Sequence, residues 1–179
     1  MKQSEAYRIL NAWDKQGRYV FKKCDLEIIL NESGKTLDQT LSRLVKTELL
    51  QRVAHGVYLY NHSAHIGPTT IEDIARNLRR GELTFESLES ALSQYGVISQ
   101  IPIDRITLMT TGRGGEHRTP YGVIELTHTK APLAEIMRNI IERPNHSLPI
   151  AKKDYAYKNL RSVGRNLDLV DLEELNVKD

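Results

Sequence analysis

Gln39, Ser42, Arg43 and Lys46 recur at helical spacing and carry donors suited to a nucleic acid. A guanidinium such as that of Arg43 can bridge two acceptors of guanine, and the amide of Gln39 can pair with adenine. Ser42 and Lys46 can donate to base edges or phosphate oxygens. Thr36 stands at the opening of the same segment. Lys22, Lys23, Lys35, Arg52 and His55 flank it and suit the phosphate backbone, a contribution that is independent of sequence and sensitive to salt. Asp38 and Glu48 weaken this basic stripe.

Other candidate chemistry is sparse. His62 and His65 are three apart in a polar stretch without nearby thiolates or carboxylates, a weak basis for a metal site. The loop from Gly112 to Pro120 is rich in glycine and arginine, but it lacks the Gly-Lys-Ser/Thr ending of a phosphate loop and precedes a strand instead of a helix. It reads as a basic hairpin tip, and a nucleotide-using enzyme built on Gly112 to Thr119 is the weakest of the readings. Glu86 and Glu89 are three apart on an expected helix, where Ser87, Ser90 and Ser93 point to an exposed polar face. There is no Gly-x-Ser-x-Gly elbow, His-Glu-x-x-His pair or dinucleotide-binding glycine fingerprint. No catalytic residue, metal or cofactor is expected.

The elements that must hold the basic residues follow from periodicity. Tyr7, Ile9, Leu10 and Trp13 give an amphipathic first helix ended by Gly17, and Tyr19 to Phe21 reads as a short strand. Asp25 stands as N-cap to a helix carrying Leu26, Ile28, Ile29 and Leu30, and the residues 31–34 form a turn. A second helix opens at Lys35 or Thr36 and turns Leu37, Leu41, Leu44, Val45 and Leu49 inward. Leu50 to Val53 and Val57 to Tyr60 alternate as strands about the turn 54–56. Helix, turn, helix and hairpin in this order predict a winged helix-turn-helix over residues 1–62. The same scaffold also serves as a protein-docking module, and that alternative stays open.

Length requires more than this block. The chain has 179 residues, so a second domain, placed at 68–179 after the polar segment 61–68, is expected. Period 3.6 predicts helices over 70–80, from Thr84 to Gly96, over 133–141 and from Lys152 onward, with a short acidic-capped helix after Asn166. Period 2 predicts strands at 106–110 and 123–128. The fold class is therefore α+β, a winged helix-turn-helix followed by a mixed α/β domain. Net charge is only +2, with the positive excess in the first sixty residues, which argues against a nonspecific nucleic-acid coat. The single cysteine, Cys24, excludes an internal disulfide, reads as a buried apolar residue and suits a reducing cytosol. No apolar run approaches a membrane span or the core of a signal peptide, so a cytoplasmic protein with no membrane partner is expected.

Across residues 5–175 the chain resembles the AbiEi-type antitoxins. The likeness lies in Ser42-Arg-Leu-Val45, Val53-Ala-His-Gly-Val-Tyr58, the run Thr84-Phe-Glu-Ser-Leu-Glu-Ser-Ala-Leu-Ser-Gln-Tyr-Gly96, the Pro102-containing segment after it, and Thr119-Pro-Tyr-Gly122. Ala151-Lys-Lys-Asp-Tyr-Ala-Tyr departs from the more acidic helix of that family. The resemblance implies the antitoxin of a type IV toxin-antitoxin system of the abortive-infection kind. Such a protein represses its own operon and counters a nucleotidyltransferase-like toxin, with its C-terminal domain sharing in antitoxicity. It also implies double-stranded operator DNA with inverted repeats, read by two copies of a protein that is monomeric when free.

Overall fold

The computed structural model describes residues 1–99 and 103–177; Pro102 lies outside them. The chain is mixed α+β and divides into two compact units, Met1–Leu78 and Arg79–Asp179.

In the first unit, helix α1 (Gln3–Asp14) buries Ala6, Leu10 and Asp14, one residue per turn. Tyr7 is 47% exposed, its ring edge-on to those of Tyr60 and His62. Strand β1 (Val20–Lys22) leads into α2 (Lys23–Ile29), and α3 (Gly34–Lys46) follows a turn over residues 30–33. Strands β2 (Leu50–Ala54) and β3 (Val57–Tyr60) form a hairpin about His55 and Gly56, and the antiparallel sheet has the order β1-β3-β2. All four residues of the central strand β3 are buried.

Asp25 is not the N-cap of α2. The helix starts two residues earlier, and the Asp25 carboxylate accepts the Lys22 N–H from inside the first turn at 2.7 Å. Cys24 is exposed, not buried, because the same early start places it on the outer side of that turn. Ile28 is 78% exposed, since only Leu26 and Leu30, four apart, share the inward stripe. α3 opens at Gly34, which holds φ at +55°, a left-handed value that favours glycine.

This first unit runs past the expected boundary. Residues 61–68 are tied back to the end of α1: Ser63 Oγ donates to Asp14 Oδ1, and the ring Nε2 of His65 lies 3.0 Å from the Asp14 carbonyl oxygen. The next helix, α4 (Thr70–Leu78), packs on all three strands of the first sheet. The Tyr19 hydroxyl donates to Asp73 Oδ2 at 2.6 Å and lies 3.0 Å from Thr70 Oγ1. A polar stretch looks like a linker in sequence even when its polar groups are consumed by a neighbouring helix end.

The second unit is built on a mixed six-stranded sheet. Its strands are β4 (Thr84–Glu86), β5 (Arg105–Thr110), β6 (Gly115–Thr119), β7 (Gly122–His128), β8 (Ile140–Ile141) and β9 (Ile150–Ala151), in the order β6-β7-β5-β4-β9-β8. Helix α5 (Leu88–Gln94) lies between β4 and β5 and α6 (Leu133–Arg138) between β7 and β8, while α7 (Lys153–Val163), a 3-10 turn (Leu167–Leu169) and α8 (Leu172–Asn176) come after β9. Asp171 caps α8 by accepting from the N–H groups of Glu173 and Glu174.

Three expectations for this unit are corrected. Thr84 caps no helix: residues 84–86 pair with Thr110, Met109 and Leu108 of β5, so α5 is shorter than expected. Gly112 to Pro120 is no hairpin tip joining two strands, since β5 and β7 run parallel and β6 inside the segment pairs antiparallel with β7. The helix from Leu133 stops at Arg138, and Ile140 and Ile141 join the sheet through β9. In each case long-range pairing overrides a local pattern too short to resolve helix from strand.

Candidate nucleic-acid interface

Helix α3 has two faces set by its repeat. Leu37, Thr40, Leu41 and Leu44 are buried, and the three leucines each contribute about 1.5–3 kcal/mol of burial. Lys35, Thr36, Gln39, Ser42, Arg43 and Lys46 are all exposed on the remaining surface. Lys22 is half-buried, whereas Lys23, Arg52 and His55 are exposed.

Lys23 connects these residues. Its backbone N–H donates to the carbonyl oxygen of Gly56 at 2.9 Å, and its ammonium lies 2.5 Å from Asp38 Oδ1. The turn of the hairpin, the start of α2 and the exposed side of α3 are thereby joined through one residue. Gly56 takes φ +69° at the turn, and beside it Arg52 Nη2 lies 3.3 Å from His55 Nδ1. The hydrogen bond to Asp38 raises the pKa of Lys23, so this lysine is charged but already shared with a carboxylate.

Arg43 is held too. Its Nη2 donates to the Met1 carbonyl, and the Met1 ammonium pairs with Glu32 Oε1 at 2.8 Å. That ammonium, followed by the Thr40 hydroxyl, keeps the Glu32 carboxyl below the usual carboxylate range. To reach a base edge Arg43 exchanges one exposed hydrogen bond, a cost of about 1 kcal/mol. Neither the Lys23 to Asp38 pair nor the Met1 contact has a signal in sequence, because both join residues from different elements. Arg18, given no role by the sequence, stacks on Trp13 and Phe21 and pairs with Asp25 at 3.0 Å, bracing the start of α2.

Residues 13–132 match the DUF6088 family, a family of unknown function. The chain belongs to this family. The match takes in every candidate contact residue from Lys22 to His55, but not Met1, and ends immediately before α6. No curated protein matches the chain. Among solved structures, the RV2827C protein of Mycobacterium tuberculosis is similar in fold, with a TM-score of 0.54 and 17% identity. The similarity covers 87% of this chain but 59% of that one, so the DUF6088 chain spans little more than half of that protein's length.

The remaining sequence candidates of this DUF6088 chain have structural partners. The rings of His62 and Tyr60 meet edge-on at 5.8 Å. Glu86 and Glu89 are buried, not exposed. Glu86 pairs with Arg143 at 2.8 Å, and Glu89 accepts Arg165 Nε at 2.7 Å, Arg165 Nη2 at 3.1 Å and Asn166 Nδ2 at 2.8 Å. Ser87 and Ser90 are buried as well, bonded to Asn159 Nδ2 and to the Thr107 N–H. Serines look polar in sequence, but here each satisfies an interior partner. In the Gly112 to Pro120 segment, Arg79 Nε donates to the Arg113 carbonyl at 2.5 Å and lies against His117, whose pKa is lowered by burial and then by Arg79 and Arg113. Among the described residues no group of three metal-ligating side chains forms, and no helix is long and apolar enough to cross a membrane.

Proposed function

We propose that the first unit is a winged helix-turn-helix that reads operator DNA, with α3 as the recognition helix and the β2–β3 hairpin as the wing. The observation that carries this reading is the exposed row Lys35, Thr36, Gln39, Ser42, Arg43 and Lys46, backed by a buried stripe of three leucines and Thr40 and joined to the hairpin turn through Lys23. Arg43 and Gln39 contact bases; Lys22, Lys35 and Arg52 hold phosphates, with Ser42, Lys46 and His55 flanking. Joined to the sequence resemblance, this makes the protein an autoregulatory antitoxin of a type IV system. It acts in the cytoplasm, binds inverted repeats as two copies, and counters a nucleotidyltransferase-like toxin. It needs no catalytic residue, metal or cofactor.

The test is titration of operator DNA with the Arg43→Ala and Lys46→Ala proteins. Each is expected to weaken specific binding by about 1–3 kcal/mol, roughly 5- to 150-fold, while thermal unfolding is nearly unchanged. Variants that bind like the parent overturn the assignment of α3. The exposed Ile28 on α2 favours a second reading, a winged helix that docks protein instead of DNA. In that case binding to DNA is absent and Ile28→Ser abolishes capture of the partner.

A further inference from the structure

Among the described residues β6 is the last strand of the six-stranded sheet and pairs on one side only, with β7. Gly115, Glu116 and Arg118 are exposed there. An edge strand offers a row of backbone donors and acceptors, and proteins guard such edges with proline, lysine, bulges or a covering element. β6 contains no proline or lysine, and its register with β7 is regular from end to end. Its two charged residues are of opposite sign and two apart, so they stand on the same face of the strand.

That arrangement is complementary to itself. In an antiparallel pairing of two β6 strands about a two-fold axis through His117, Glu116 of each copy faces Arg118 of the other. Centring the pairing on Glu116 opposes two carboxylates, and centring it on Arg118 opposes two guanidiniums, so charge selects the register. Within the chain, Glu116 Oε2 accepts Arg105 at 2.9 Å, while Oε1 lies at a longer 3.4 Å from Arg118. Oε1 is thus the atom open to a closer arginine. Arg118 is 81% exposed and can swing across the edge at little cost.

We propose that β6 is a self-association edge at which a second copy of this chain adds its own β6 antiparallel, about an axis through His117. The two sheets then continue into one another, with an isologous contact as two-fold symmetry requires. Five residues a side make a small interface of the transient class, so association is weak and reversible. This goes beyond the DNA reading and does not depend on it.

The experiment is sedimentation equilibrium of the full chain without DNA, up to about 0.5 mM, a range that resolves weak association. A reversible dimer that disappears in Arg118→Glu is expected. Register is tested by disulfide trapping after Cys24→Ser removes the exposed native thiol. His117→Cys, facing its own copy on the axis, cross-links on mild oxidation, whereas Thr119→Cys does not. A monomer at every concentration, a dimer indifferent to Arg118→Glu, or cross-linking at Thr119 in preference to His117 overturns the proposal. Loss of DNA binding alters none of these readouts.

Discussion

Replacing Arg165 by methionine removes a cation that pairs with two carboxylates of the second unit, Glu89 and Glu125, the latter also held by Arg105. Gly164 ends α7 in the left-handed region at φ +72°, and the chain then turns Arg165 inward. Its guanidinium grips both oxygens of Glu89 and also bonds Glu125 Oε1. The Glu89 side chain is 7% exposed and that of Arg165 36%. Breaking a fully buried pair costs about 3–5 kcal/mol, but water reaches Arg165 and Asn166 still donates to Glu89, so about 2 kcal/mol is the discounted expectation. For a unit of this size that is a fall in Tm of about 8–16 °C. The sign of the pH dependence follows from Glu89. Burial alone pushes its pKa up, but Arg165, its own backbone N–H and Asn166 together hold it below the ordinary value. Its stabilisation is therefore fully present above the unfolded carboxylate pKa and lost as pH falls through the lower folded one. Without Arg165 burial wins and Glu89 protonates more readily, so the gap between parent and variant is widest near neutrality and narrows in acid. Calorimetry or circular dichroism across the acid range reads this directly. A gap under about 2 °C at neutral pH, below half a kcal/mol, or one that does not narrow in acid, refutes the reasoning.

Asp38→Asn releases Lys23 and removes a carboxylate from the exposed side of α3, so DNA binding should tighten about two- to fivefold at low salt and the salt slope steepen by about 0.9 in a filter-binding series. Lys35→Ala should weaken binding to operator and scrambled DNA alike and flatten that slope by about 1, whereas Gln39→Ala should lower only the preference for the operator. Gly56→Ala forces alanine to φ +69° and should lower stability by about 1–2 kcal/mol in urea titration.

Legibility in sequence tracked the range of the interactions. Leu37, Leu41 and Leu44 at helical spacing found α3, although Leu49, expected on its inward face, lies three residues beyond its end at Lys46; alternation found β5 and β7, because these patterns are local. Thr84 to Glu86 looked helical because Phe85, Leu88, Ala91 and Leu92 share a period. Only the partner strand β5, some twenty residues later, makes the first three extended. Glu86 and Glu89 looked exposed because their cations, Arg143 and Arg165, come from distant segments. In the candidate interface the exposed row on α3 was readable from spacing alone. The pairing of Lys23 with Asp38 and of Arg43 with Met1 was not, since each depends on how helices and chain ends meet in three dimensions.

The most direct measurement is a fluorescence-anisotropy titration of the purified protein against the DNA upstream of its own gene, with a scrambled duplex as control, at two salt concentrations. If Lys22, Lys35 and Arg52 hold phosphates in each of two copies, raising salt fourfold should weaken binding by roughly 10³, with slope about −0.9 per contact. The preference for the upstream duplex should survive that change. Equal affinity for both duplexes, or none for either, contradicts the operator-reading assignment.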